Sequence, residues 1–290
     1  MDMDIGLMSA LVLAEAGYSV TVLAREFPGN NSKKWASPWA GAGILPHPDS
    51  RGHNLQAATF VYFWSLAHSD PSSGVQVVDV TEYYDDRSDD STIWYKQVVP
   101  KYRRLSSEDL PSGARMGFSP IDEASLVLKT SLMVNCSGLG AFDIAADGNV
   151  RPVRGQIMLV KGESNEMVLF QGSHYTYQIP RMFSGGTIIG GIAQEGNMDE
   201  AVDLELRNDI LQRINLVTKE RYKDFDLNKD VIEDIVGFWP GRKGGYCLEK
   251  ENGVIHAYGF GSLGYTYCCG VASQVLELVK ATKKWPLSQL

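Results

Sequence analysis

Gly253-Val-Ile-His-Ala-Tyr-Gly-Phe-Gly-Ser-Leu-Gly-Tyr-Thr-Tyr-Cys-Cys-Gly-Val-Ala-Ser-Gln-Val-Leu-Glu-Leu-Val279 carries the strongest topological signal in this chain of 290 residues. Val254 to Tyr258 is a short apolar run that reads as a buried strand. Gly259, Gly261 and Gly264 follow, and Val271, Val275, Leu278 and Val279 then recur at helical spacing. Strand, glycine loop and helix together bring backbone N–H groups and a helix N-terminus to an anion or an electron-rich ring. Glycine suits such a loop because a Cβ blocks close approach and penalises positive φ. The same pattern also describes a tight strand-to-helix turn in any α/β domain, and the stretch alone does not choose between the two.

The start of the chain points the same way. Ile5 to Gly17 has small and apolar residues at helical spacing, with Gly17 placed as the C-terminal stop. Tyr18-Ser-Val-Thr-Val-Leu23 reads as a strand, and Arg25-Glu26 puts an acidic residue shortly after it. This is the second half of a dinucleotide-binding βαβ unit, with Glu26 where such folds hold a ribose. Gly6 fits the third glycine of G-x-G-x-x-G. The first strand and first two glycines are not seen ahead of it.

Between these ends, Lys34 to Gly43 reads as a loop of small residues opening onto Ile44-Leu45-Pro46. Leu55 to Leu66 reads as a helix with Phe60, Phe63 and Trp64 in the core. Val75–Tyr84 and Thr92–Val99 read as strands, with the acidic run Asp85 to Asp90 as a solvated turn. Ser106 to Ser119 is polar and loop-like. Leu132 to Cys136 and Arg151 to Val160 read as strands, Tyr175–Arg181 and Thr187–Ile192 as a hairpin, Leu204–Val217 as an amphipathic helix, and Ile232–Phe238 as a strand.

Composition narrows the function. A hydrophobic content of 44% and a charged content of 21% are those of a globular chain with a substantial core. A net charge of -8 argues against nucleic acid or an anionic membrane as partner. No apolar run approaches a membrane span. The opening residues do not read as a secretory signal. Cys136, Cys247, Cys268 and Cys269 are too few and too irregularly spaced for a disulfide framework or a zinc site, which fits a reducing compartment. The five histidines are scattered, and His256 is assigned to the loop framework. No acid–base dyad or metal cluster stands out. Ser288-Gln289-Leu290 resembles the Ser-Lys-Leu peroxisomal address except at its middle residue, so a peroxisomal or cytoplasmic location is expected.

Several motifs, in order, resemble the D-amino-acid oxidase family of FAD-dependent oxidoreductases. Ser37-Pro-Trp-Ala-Gly-Ala42 is similar to the family loop over the flavin, and Val134-Asn-Cys-Ser-Gly-Leu-Gly-Ala141 to its V-N-C-(S/T)-G-L-G-A signature. Arg151-Pro-Val-Arg-Gly-Gln156 matches R-P-x-R-G-Q, Tyr177-Gln-Ile-Pro-Arg181 resembles Y-I-I-P-R, and Trp239-Pro-Gly-Arg-Lys-Gly-Gly245 resembles R-P-x-R-x-G-G.

The resemblance implies an α/β fold: a doubly wound, Rossmann-like FAD-binding domain interleaved with a mixed-sheet substrate domain. We expect the first over residues 1–70, 131–160 and 246–290, and the second over 71–130 and 161–245. It implies FAD as cofactor, a small-molecule D-amino acid and O₂ as partners, and 2-oxo acid, ammonia and hydrogen peroxide as products. A homodimer is left open. The implied cofactor residues are Gly6, Arg25, Glu26, Ser37, Ala40, Gly41, Ala42, Cys136, Ser137, Gly138, Gly259, Gly261, Ser262, Leu263, Gly264, Tyr265 and Thr266. Tyr177, Trp239, Gly261 and Ser262 are the implied catalytic positions.

Three departures from the family pattern stand beside these expectations. The glycine pair that holds the pyrophosphate is missing. The stretch from Ser119 to Ser131 is a short bridge where the family has a longer strand–helix–strand, so apolar surface is expected to lose its cover. The arginine that clamps the substrate carboxylate falls on Trp239, which offers one neutral N–H. Arg181 and Arg242 are expected to be framework. Tyr175 is the candidate for a second active-site tyrosine, since the family position falls on Ser173. A diverged, flavin-free binding protein and a nicotinamide dehydrogenase are the competing readings.

Overall fold

A computed structural model describes residues 3–26, 32–33, 37–48, 51–119, 134–173, 175–181, 186–251 and 253–281. In chain order the elements are α1 (Met3–Glu15), α2 (His53–Ser69), β1 (Asp79–Tyr84), β2 (Arg103–Arg104), β3 (Met116–Ser119), β4 (Val134–Asn135), α3 (Ala141–Ile144), β5 (Val150–Lys161) and β6 (Glu166–Gln171). They continue through β7 (Thr176–Arg181), β8 (Gly186–Gly190), β9 (Gln194–Glu195), α4 (Leu204–Val217), β10 (Val231–Arg242), β11 (Cys247–Glu251), β12 (Val254–Tyr258) and α5 (Gly264–Lys280). The bridge 120–133, Lys34–Ala36, His174, Ser184–Gly185 and the terminal tripeptide lie outside the described residues.

Two sheets result. A small sheet runs β11–β12–β4, with β12 and β4 parallel. The helices α1, α2 and α5 pack around it through Ile5, Met8, Leu13, Leu55, Phe63, Ile255, Val271 and Val275. A nine-stranded mixed sheet runs β10–β5–β8–β7–β6–β1–β3–β2, with β9 paired to β5, and β1 lies parallel to β6. This is the expected α/β architecture, a small parallel-paired unit wrapped in helices joined to a large mixed sheet.

Local chemistry explains the elements that position the site. α1 ends in a Schellman turn: Gly17 sits at φ 88°, the Tyr18 N–H bonds the Leu13 carbonyl, and the Gly17 N–H bonds that of Ala14. α4 starts at Asp203, whose carboxylate accepts from the N–H groups of Glu205 and Leu206. Its stripe Ile210, Ile214 and Val217 covers one face of the large sheet through Met158, Val160, Val168, Phe170 and Ile189. Residues of opposite phase, Ile157, Leu159, Leu169, Tyr177 and Ile188, face the other side. Where α2 and α5 cross, Gly270 is required because a Cβ there would lie 2.2 Å from the Leu55 carbonyl oxygen.

The Arg151–Gln156 motif also finds a structural role. Arg154 is almost wholly buried, and its guanidinium donates to the Asp199 carbonyl at 2.7 Å and to Gln156 Oε1 at 3.0 Å. Gln156 Nε2 donates to the Asp203 carbonyl, so the pair ties β5 to the segment that leads into α4.

Four expectations are corrected. Tyr18–Leu23 is not a strand and is largely exposed, with Leu23 90% accessible. It joins neither sheet among the described strands. Thr92–Val99 is not a strand. Its backbone closes locally, with the N–H groups of Val98 and Val99 both on the Tyr95 carbonyl around a 3-10 turn at Trp94–Gln97. Within Val75–Tyr84 only β1 pairs. The supposed loop Ser106–Ser119 ends in β3, whose Met116 and Phe118 stand opposite Tyr84 and Glu82.

Candidate functional site

The inner face of the large sheet and two loops enclose a cavity of about 350 Å³. The sheet's wall follows from register. Glu82 of β1 stands opposite Leu169 of β6, Leu169 opposite Tyr177 of β7, Tyr177 opposite Gly190 of β8, Gly190 opposite Ile157 of β5, and Ile157 opposite Ile235 of β10. Directly paired residues share a face, so this row of six crosses the sheet on the cavity side. At Gly190 a Cβ would strike Ile157 and Tyr177, both at 2.8 Å, so glycine lets these side chains close over the backbone. Trp239, further along β10, lies across Gly155, where a Cβ would come within 2.9 Å of the indole.

The opposite wall is made by Trp39 to Gly43 and by Ser262 to Thr266, the turn that enters α5. These two loops hold each other. The Tyr265 hydroxyl donates to the Ser37 carbonyl at 3.3 Å, and the Thr266 hydroxyl to the Leu45 carbonyl at 3.4 Å. Gly41 lies so close to Ile179 of β7 that a Cβ would overlap it at 2.8 Å. Ala42 holds φ 59°, a left-handed conformation uncommon outside glycine and common at ligand sites.

Of the residues singled out from the sequence, Ala40, Gly41, Ala42, Tyr177, Trp239, Ser262, Leu263, Tyr265 and Thr266 line this one cavity. Tyr175 lines it too, its ring 5.5 Å from that of Tyr177, while Ser173 bonds Asp85 instead. A second group gathers at the carboxyl ends of the parallel strands β4 and β12. Cys136, Ser137 and Gly138 follow β4, Gly259 and Gly261 follow β12, and Gly264 opens α5. Gly6 of α1 packs there, since a Cβ on it would lie 3.2 Å from Cys136 Cβ. Asn135 Oδ1 accepts from the Ser137 N–H and hydroxyl, and Asn135 Nδ2 lies 3.2 Å from His256 Nδ1, which places His256 in the framework. Arg25 and Glu26 pair with each other at 3.0 Å and do not line the cavity. Arg242 pairs with Asp147 at 2.7 Å, a framework contact joining β10 to the loop before β5.

The cavity's electrostatics are one-sided. Among the described residues that line it there is no lysine or arginine, and the single carboxyl is Glu82. Glu82 is 1% exposed, and burial pushes its carboxyl up to about 7 against hydrogen bonds from Tyr95, Gln171 and Tyr84. Burial also raises Tyr175 to about 12 and lifts Tyr177 well above the usual phenol range, so both are neutral hydroxyls at any working pH. Sequence reasoning passed over Glu82, Gln171 and Gly155. The readable signal was a glutamate in the inward phase of a strand, two residues after Val80.

Residues 119–278 match the family model DAO, FAD dependent oxidoreductase. The chain belongs to this family. It is 28% identical to a D-amino-acid oxidase of Fusarium vanettenii over 99% of this chain and 97% of that protein. It is 30% identical to a D-amino-acid oxidase of Rubrobacter xylanophilus, covering 95% of this chain and 93% of that one. Its fold matches the crystal structure of L-proline dehydrogenase from P. horikoshii with a TM-score of 0.73 at 16% identity, over 99% of this chain and 93% of that one.

The family cofactor is FAD, and the residues present fit its ring end. Parallel strands β4 and β12 end side by side at an edge of the kind where α/β folds bind nucleotides. Gly138, Gly259 and Gly261 there adopt φ 57°, 83° and 62°, the left-handed region that glycine enters without a Cβ penalty. Ala40–Gly43 and Ser262–Thr266 would hold the ring, and Gly6, Cys136, Ser137 and Gly138 its neighbouring portion. When bound, FAD supplies a two-electron acceptor at the cavity wall.

Proposed function

We propose that the chain oxidises D-amino acids, with FAD as hydride acceptor and O₂ as final oxidant. The substrate loses its α-hydrogen as hydride and a proton from nitrogen, and a C=N bond forms. Water then releases ammonia and the 2-oxo acid, and the two electrons leave as hydrogen peroxide. The observation that carries this reading is the shared cavity, in which Trp39–Gly43 and the turn into α5 meet Tyr177 and Trp239 of the sheet. The names of the relatives support it.

The chain's own residues bind, orient and exclude water. Tyr177 and Tyr175 offer neutral hydroxyls to the substrate's polar end. Met167, Leu169, Ile157 and Ile235 line the site with apolar surface, and Trp239 has a single N–H to offer where the family pattern has an arginine. The domain division we propose keeps the expected boundaries but assigns β5 to the substrate side, a change supported by its pairing with β8 and β10. No described helix is long and apolar enough to cross a membrane.

Peroxide release from FAD-loaded protein, measured over a panel of D-amino acids and their L enantiomers, tests the reading. Turnover confined to the D series is expected. Turnover of the L series alone, or none in flavin-loaded protein, overturns it.

A further inference from the structure

Glu82 is a carboxyl embedded in the wall of the substrate cavity, whose described lining holds His47 but no lysine or arginine. Among the described residues no ion pair reaches it. Its partners are neutral: the Tyr95 hydroxyl at 2.7 Å, and the more distant Tyr84 hydroxyl at 3.4 Å and Gln171 amide at 3.5 Å. The nearest guanidinium, Arg87, is engaged elsewhere, paired with Asp86 at 2.9 Å and seated over the Tyr84 ring. A buried carboxylate held only by neutral donors is unfavourable, and a cation placed beside it reverses that penalty.

The register shows where such a cation would come from. Glu82 and Tyr177 stand in one cross-sheet row with Leu169 between them, two inter-strand spacings apart, or about 10 Å. The wall between them is apolar, made of Leu169 and Met167. A substrate whose amino-acid end lies by Tyr177 and Trp239 reaches Glu82 with a flexible aliphatic stem carrying a charged head, the build of a lysine side chain.

We propose that Glu82 seats a cationic group at the far end of the substrate, so that the preferred substrates are D-amino acids with basic side chains. The proposal rests on the oxidase reading above and gives it a substrate class. Trp239 strengthens it, because a weakly held α-carboxylate leaves the distal charge pair as the main polar anchor. Acidic side chains are rejected by like charge.

The test compares D-lysine with D-norleucine, which has the same stem length and lacks the ammonium, and with D-glutamate. FAD-loaded wild type and Glu82→Gln are used at pH 8.5. Calorimetric binding and the rate of flavin reduction under nitrogen are both read. One charge-assisted hydrogen bond supports a preference of about tenfold to a hundredfold. Wild type is expected to bind D-lysine over D-norleucine by that margin and to bind D-glutamate least, and Glu82→Gln is expected to bring the lysine-to-norleucine ratio close to one. Equal binding of D-lysine and D-norleucine by wild type, or a ratio that survives in Glu82→Gln, overturns the proposal. Selective D-lysine binding without flavin reduction leaves the seat standing and removes the oxidase reading. Flavin reduction with no preference does the reverse.

Discussion

Replacing Glu82 with glutamine in the ligand-free protein changes how stability depends on pH. Burial raises this carboxyl from 4.5 to about 7. Between those values the folded chain holds a proton that the unfolded chain has released, so wild-type stability falls as pH rises through that window and is level again above it. The interval of about 2.5 units corresponds to about 3 kcal/mol at 1.36 kcal/mol per unit. The titratable or charged neighbours are Tyr84, Tyr95, Tyr102 and Arg87. Tyr95 and Tyr102 stay neutral and Arg87 stays charged throughout, and His47, which lines the same cavity, is common to both proteins, so the difference between them belongs to Glu82. Glutamine keeps an acceptor for the Tyr95 hydroxyl and cannot ionise. Urea unfolding of wild type and Glu82→Gln at pH 4.5 and pH 8 should show the variant gaining about 3 kcal/mol relative to wild type between the two conditions. An unchanged difference between the proteins would refute the view that this carboxyl is desolvated and unpaired.

Other substitutions test neighbouring parts of the account. Trp239→Arg restores a bidentate donor at the substrate's carboxylate end and should lower KM for D-amino acids about tenfold to a hundredfold; unchanged kinetics in flavin-loaded protein would contradict the placement of Trp239. Gly270→Ala forces a Cβ onto the Leu55 carbonyl where α2 crosses α5, and should cost about 1–3 kcal/mol, seen as a Tm lower by several degrees. Burial opposes ionisation of Asp147, but hydrogen bonds from Arg242, the Asn149 N–H and Tyr258 outweigh it and hold the carboxyl down to about 2. Its contribution is therefore complete above about pH 4 and fades as pH falls toward 2. Asp147→Asn should lower Tm at pH 7, with a gap to wild type that narrows by pH 3.

Elements whose signals are local were legible. α4 and β12 fall on the expected residues, and α1 stops at Gly17, because a capping aspartate, an apolar run bounded by glycine and a left-handed stop act within a few residues of themselves. Tyr18–Leu23 pairs with no described strand, and strand-forming residues do not by themselves specify a partner. In Thr92–Val99 apolar and aromatic residues imitate a strand while the backbone closes on itself. The candidate site divides in the same way. Gly41, Ser262 and Tyr177 sit in motifs that can be read as words. Glu82 acquires its meaning only from the parallel pairing of β1 with β6, which neither strand discloses by itself, and β6 had no clear alternation to announce it.

The central claim is that Ala40–Gly43 and Ser262–Thr266 hold a flavin against the sheet. The visible absorption spectrum of the purified protein, before and after incubation with FAD and desalting, tests it most directly. The account predicts a retained flavin band that bleaches when a D-amino acid is added without oxygen. Colourless protein that FAD fails to reconstitute would contradict it.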